Sequence, residues 1–237
     1  MLTSLVERSP LLRGMLDFAF PPLCAGCREF CESPDALCSH CLETINWLAR
    51  PTYVFPEVLS VSIDDPTPPS IPVFASGDYS GPLRETILQV KFHHVTAPLG
   101  LLAKKLVGEF GKAIVAGHPT HLIPLPLHPT REYARGFNQA MLFAAQLGAL
   151  LELPVAADLL YRTARRRPQS RLSEARRAAN IRGVFGLDPD CSLDPQSSRL
   201  ILVDDVVTSG HTILEAERTL RASGFTTVAI TAIARTL

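Results

Sequence analysis

The chain has 237 residues, 46% of them hydrophobic, and its 23 Lys+Arg cancel 23 Asp+Glu to a formal net charge of zero. A chain this apolar and this weakly charged buries a core, which excludes disorder throughout. Zero net charge likewise excludes a uniformly basic nucleic-acid coat or a polyacidic tail. The balance is nonetheless a cancellation. Residues 1–130 carry 9 basic and 12 acidic side chains (−3), residues 131–182 carry 10 and 4 (+6, every cation an arginine), and residues 183–237 carry 4 and 7 (−3).

Met1 to Phe20 is apolar in places but broken by Glu7, Arg8, Arg13 and Asp17. It lacks the basic head and continuous apolar centre of a secretory signal and reads as a short amphipathic helix. No uninterrupted apolar run approaches the ~20 residues needed to span a bilayer. The expectation is a cytoplasmic protein without membrane insertion, whose cysteines are reduced.

Five of the six cysteines fall between Cys24 and Cys41, as the C-x-x-C pairs Cys24/Cys27 and Cys38/Cys41 with Cys31 between them. Two such turns supply four thiolates to one tetrahedral ion, so the spacing predicts structural zinc on Cys24, Cys27, Cys38 and Cys41. Cys31 and His40 remain possible substitutes in the same sphere. Disulfides are disfavoured by a reducing compartment, and a redox C-x-x-C would open a helix in a βαβ unit that is absent here. A four-thiolate site is closed to substrate, so its role is to fold about 30 residues with little core of their own.

Six prolines between Pro51 and Pro72, together with Asp64 and Asp65, rule out a continuous helix. We read 1–50 as an N-terminal helix and zinc-finger subdomain, 51–72 as a linker with one short strand near Val58–Ile63, and 73–237 as the main domain. Val73–Tyr79 reads as a strand and Pro82–Phe92 as a helix. Leu99, Leu102, Ala103, Leu106, Val107, Phe110 and Ile114 have the spacing of an amphipathic helix. Leu122–Leu125 is a short apolar run, Asn138–Leu151 an apolar helix, Val155–Tyr161 strand-like, Ser173–Asn180 helical and Val184–Leu187 extended. Leu200–Val203 is an aliphatic strand of the kind buried on both faces of a parallel sheet. Thr212–Ser223 is a helix closed by Gly224, and Thr227–Ala234 is the last strand. Strands alternating with helices specify an α/β layer architecture.

The richest chemistry runs from Leu200 to Thr212, where an aliphatic strand ends in Asp204 and Asp205. After Val206 and Val207, the turn Thr208-Ser209-Gly210-His211 opens a helix at Thr212. Such a turn presents free N–H groups and a helix dipole at the sheet's C-terminal edge, suited to a phosphate monoester. Gly210 permits close backbone approach, and Thr208, Ser209 and Thr212 add hydroxyl donors. An ordinary N-cap could use Thr208 or Ser209 without any ligand, but a cap alone leaves two adjacent carboxylates unexplained. Neither a Walker A sequence nor G-x-G-x-x-G occurs.

This motif resembles the phosphoribosyl pyrophosphate (PRPP) signature of type I phosphoribosyltransferases. The resemblance implies that Asp204 and Asp205 take the ribose hydroxyls and that Val206, Val207, Thr208, Ser209, Gly210, His211 and Thr212 form the phosphate turn, His211 without a catalytic role. It also implies a parallel sheet flanked by helices. The cysteine pairs, Tyr79–Arg84, Lys91-Phe92, Pro124–His128, Arg131, Arg135–Gln139, Arg162, Gln169, Leu172, Arg176, Asn180 and Val184-Phe185 are similar to the ComF (GntX-like) family, which carries an N-terminal zinc finger.

Arg131 and Arg135 follow the Pro-Leu-Pro run, where the resemblance places the pyrophosphate loop, and Arg165, Arg166 and Arg167 fall in an expected mobile loop. Arginine's planar fork matches phosphate oxygens. The same +6 segment also fits a nucleic-acid backbone, with few aromatic partners nearby. Lys91 near a helix end could reach a phosphate, although an exposed lysine is the commoner reading of such a position.

The family resemblance implies handling of single-stranded DNA during DNA uptake and natural transformation, beside helicase or recombination proteins. The alternative is an active phosphoribosyltransferase moving ribose 5-phosphate from PRPP, with Mg²⁺ on the diphosphate, to an unidentified acceptor in nucleotide metabolism or salvage. Only 25 residues follow Thr212, so an acceptor pocket is expected from residues 42–80 and the zinc head.

Overall fold

The computed structural model describes residues 21–33, 35–54, 70–163 and 183–237. The readings for Met1–Phe20, Val58–Ile63, Ser173–Asn180 and Arg165–Arg167 lie outside these residues. In chain order the elements are α1 (Ser39–Thr44), β1 (Thr52–Val54), β2 (Ile71–Asp78), α2 (Gly81–His93), α3 (Pro98–Val115), β3 (His121–Pro124) and α4 (Pro129–Arg135). They continue with α5 (Gln139–Leu151), β4 (Leu160–Arg162), β5 (Phe185–Leu187), β6 (Arg199–Val207), α6 (His211–Ala222) and β7 (Thr226–Arg235).

A five-stranded sheet runs in the order β1-β2-β7-β6-β3. The pairs β2/β7, β7/β6 and β6/β3 are parallel, and β1 closes one edge antiparallel to β2. Period-two alternation sends neighbouring side chains to opposite faces. Ile201 and Val203 of β6 join α2, α3 and α5 in one core, while Leu200 and Leu202 join Ile213, Ala216 and Leu220 of α6 in the other. Helices therefore cover both faces, the α/β architecture expected from the alternation.

Three local differences from the sequence reading matter. Thr52–Val54 is the sheet's edge strand, and Ile71-Pro72 opens β2, so both ends of the Pro-rich segment are paired backbone. Pro72 is tolerated because it sits near the start of its strand, beside the edge. The strand-like runs near Tyr161 and Val184 form a separate two-stranded antiparallel ribbon, β4/β5. Residues 155–159 stay outside it: Val155 bridges to Leu122, Ala156 N–H donates to the Leu122 carbonyl, and Leu159 is buried in the core beside Leu200 and Leu202. Finally, α4 is a helix that hydrophobic periodicity did not reveal, because none of its seven residues is buried.

The cysteine head is joined to the sheet rather than hung from a free tether. Asp78 N–H donates to the Asn46 carbonyl at 2.9 Å, and Leu48 N–H to that of Ser76 at 3.2 Å. Arg28 Nη1 donates to Gln89 Oε1 of α2 at 2.6 Å. Among the described residues no helix is long and apolar enough to cross a membrane.

Candidate functional site

In the head, the Sγ atoms of Cys24, Cys27, Cys38 and Cys41 all lie within 4.8 Å of one another. The Cys27–Cys38 separation is 3.8 Å, the edge of a tetrahedron built on metal–sulfur bonds of about 2.3 Å. Backbone N–H groups point at the sulfurs: Gly26 and Cys38 donate to Cys24 Sγ at 3.4 and 3.3 Å, and Cys41 donates to Cys38 Sγ at 3.4 Å. Such bonds favour thiolate over thiol. Burial pushes the Cys24 thiol up, but the amides of Cys38, Cys27 and Gly26 outweigh it and bring Cys24 down to about 6. Cys41 moves up, through burial and then its three sulfur neighbours, because thiolates this close repel one another without a cation. Cys31 is buried in the head's apolar cluster and His40 is exposed; neither joins the four-sulfur group. The donor set is thus a closed four-sulfur site for a structural metal ion.

The second site lies at the C-terminal edge of the sheet. β6 carries its ladder past Val203, through Asp204 and Val206 to Val207. This holds both carboxylates on rigid backbone where the chain turns into α6. Gly210 adopts φ +80° in the left-handed region and is the N-cap of α6, with no side chain capping the helix. Neither Thr208 nor Ser209 caps it, and the first-turn N–H groups keep their capacity for an anion. His211 Nδ1 sits 2.7 Å from Ser209 Oγ, tying the turn together.

A cavity of about 220 Å³ opens against this edge, lined by Asp204, Asp205, Val206 and Thr212 together with Arg131, Arg135 and Arg162. Lys91 reaches in from α2, its Nζ 2.9 Å from Asp205 Oδ2, and neither side chain is more than 16% exposed. Lys91 is therefore not the exposed lysine that its position near a helix end suggested. Burial and then the Asp205 charge push the Asp204 carboxyl up to about 7, against the Asp205 amide, Lys91 and Arg162. Burial and the Arg131 charge lower the Arg162 guanidinium, with Asp204 opposing. Cations crowded in this way favour an anionic ligand.

The loop from β3 to α5 is fixed by its own residues. Asn138 caps α5, accepting from the N–H groups of Ala140 and Met141, while its Nδ2 donates to the Leu125 carbonyl at 2.9 Å. Gly136 takes φ +72° to end α4, and Arg135 Nη1 donates to Gln139 Oε1 at 3.0 Å. Arg131 and Arg135 are thereby held beside the carboxylates although 69 residues separate Arg135 from Asp204.

The cavity thus gathers Asp204, Asp205, Val206, Thr212, Arg131 and Arg135. Thr208, Ser209, Gly210 and His211 form the adjoining turn, and Val207 is buried in the core. Sequence reasoning ranked the phosphate-reaching role of Lys91 second and gave Arg162 no role in the cavity; its signal there was membership of the arginine-rich segment. A second concavity, of about 340 Å³, adjoins the first along Lys91, Arg131 and Arg135 and is completed by Phe92, His94, Thr130 and Ala134. None of its lining residues belongs to residues 42–80 or to the head, where an acceptor pocket was expected.

No protein-family model matches the chain. Among curated proteins it is 28% identical over 226 residues to Competence protein F of Haemophilus influenzae, covering 94% of each chain. It is 31% identical over 173 residues to DNA utilization protein YhgH of Shigella flexneri, covering 72% of this chain and 74% of that one. Competence protein ComFC of Bacillus subtilis is 26% identical over 151 residues, 62% of this chain and 56% of that one. Among solved structures, adenine phosphoribosyltransferase from Leishmania donovani aligns at a TM-score of 0.39 and 22% identity, covering 81% of this chain and 65% of that one. At that TM-score the likeness is too distant to carry weight. The curated relatives are decisive, and with the cysteine head and the layered sheet they show that the chain belongs to the ComF family.

Proposed function

We propose that this ComF-family chain binds PRPP or a related sugar phosphate in the cavity at the end of β6 and acts in DNA utilization by handling single-stranded DNA. The observation that carries the first half is the cavity itself. Two carboxylates on one wall suit vicinal sugar hydroxyls, an uncapped helix start suits a 5′-phosphate, and Arg131, Arg135, Arg162 and Lys91 suit a diphosphate. The names of the relatives support the second half. In this reading Arg165, Arg166 and Arg167 are further contacts to phosphate. The head holds zinc on Cys24, Cys27, Cys38 and Cys41, which shapes residues 21–48 and takes no part in chemistry. The compartment is the cytoplasm, where thiolates persist, and the partners are the helicase or recombination proteins that pass on a single strand.

Asp204 supports an enzymatic variant of this reading. A carboxyl held near 7 beside the sugar site can accept or return a proton at neutral pH while PRPP transfers its ribose 5-phosphate to an acceptor. Calorimetric titration with PRPP and Mg²⁺, and separately with an oligodeoxynucleotide, tests the proposal on intact protein and on Arg131→Ala/Arg135→Ala. Saturable binding of both ligands, each weakened at least about tenfold in the variant, is the expected result. Heatless titrations with PRPP would remove the sugar-phosphate reading. Pyrophosphate release on adding nucleobases separates transferase from binding protein.

A further inference from the structure

The second concavity has a wall that phosphate recognition does not use. Phe92 is 60% exposed at the end of α2, one residue after Lys91 turns inward to Asp205. A large ring left in water forfeits its burial energy. Arg135 Cζ stands 5.2 Å from the centroid of this ring, while its guanidinium is held by the hydrogen bond to Gln139 Oε1, and the Phe92 side chain stays largely accessible. His94, which also lines the groove, adopts φ +59° as the C-cap of α2 and packs its ring 5.2 Å from that of Phe137. The groove therefore offers an open aromatic face between rigid neighbours, within the range of roughly 300–1,000 Å³ typical of ligand sites. Its boundary with the sugar-phosphate cavity is formed by cations, Lys91, Arg131 and Arg135, which line both spaces.

A ligand that crosses such a boundary is planar and apolar at one end and anionic at the other, as a nucleotide unit is. Base-on-aromatic stacking needs no particular sequence, because every base has a π-face, and flanking arginines strengthen it. We infer that the groove between the end of α2 and α4 is a nucleobase-stacking subsite, with Phe92 as its platform and Arg131 and Arg135 shared with the phosphate cavity. This rests on the sugar-phosphate and DNA reading above and specifies where a base sits in it. Phe92 lines only the groove and not the phosphate cavity, so the two sites respond separately to substitution.

The test compares a fluorescein-labelled oligothymidylate of about twelve nucleotides with an abasic oligomer of equal length, on intact protein, Phe92→Ala and Phe92→Trp. PRPP affinity is measured on all three. We expect the base-bearing oligomer to bind about tenfold more tightly than the abasic one, Phe92→Ala to erase that preference, and Phe92→Trp to restore it. PRPP affinity should stay within about threefold throughout. Thymidine alone distinguishes the source of the base: Phe92-dependent binding of the nucleoside indicates a free base, and Phe92-dependent binding of the polymer only indicates a strand. Equal affinity for both oligomers, or an undiminished preference in Phe92→Ala, overturns the subsite. PRPP binding without oligomer or thymidine binding overturns it while sparing the sugar-phosphate reading. A Phe92-dependent base preference without PRPP affinity does the reverse.

Discussion

The cysteine head and the cavity at the sheet edge both crowd like charges, and they are built in opposite ways. The head takes all four sulfurs from residues 24–41 and steadies them with amides of the same stretch. The cavity takes Lys91 from α2, Arg131 and Arg135 from α4, Arg162 from β4, Asp204 and Asp205 from β6, and Thr212 from α6. One has four sulfurs that could hold a single metal ion and is finished locally. The other is assembled across the whole sheet and lined by both carboxylates and cations.

The largest expected effect separates the two regions. Removing metal with a strong chelator under reducing conditions should release ~1 equivalent of zinc and abolish hydrogen-exchange protection of the amides near Cys24 and Cys38. Amides of β6 and β7, buried between two cores, should keep theirs. Loss of protection in both regions together would mean that the head is not an independent unit of stability. Unchanged protection in the head would mean that the four sulfurs need no ion.

A smaller effect probes the charge balance of the cavity. The Asp204 carboxyl titrates at 3.8 in the unfolded chain and about 7 in the folded one, so the native state binds the proton more tightly. Its contribution to stability is full below about pH 4 and is lost as pH rises through about 7. Asp204→Asn should flatten this decline and melt about 3 °C above the intact protein near pH 8, followed by circular dichroism across pH. A variant that melts lower at every pH, with the decline retained, would contradict the assignment. The smallest effect concerns the scaffold of the arginine loop. Asn138→Ala removes the cap of α5 and the bond to Leu125 and should cost about 1 kcal/mol in urea unfolding, with an unaltered m-value.

These regions also differ in how far they could be read from the chain. The cysteine cluster of the head was legible because C-x-x-C spacing is local, and so was the turn after β6, whose strand, carboxylates and glycine follow one another. Apolar runs marked β2, β6 and β7 within a few residues, because strands buried on both faces carry a strong signal. α4 escaped because an unburied helix has no apolar stripe. β1 escaped because three residues at an edge, next to prolines, carry almost no pattern. The burial of Lys91 was not legible because it depends on Asp205, 114 residues away, a distance that the parallel crossovers remove. Phe92 was legible as an aromatic but not as an exposed one.

The central claim is that the edge of β6 is a sugar-phosphate site whose ribose end is held by Asp204 and Asp205. Calorimetry with PRPP and Mg²⁺ on intact protein and on Asp204→Asn/Asp205→Asn tests it most directly. The account predicts one saturable site in the intact protein and at least about a hundredfold loss of affinity in the variant, with a hydrogen-bond acceptor removed from each of two sugar contacts. Equal affinity in the two proteins, or no binding to either, would contradict it.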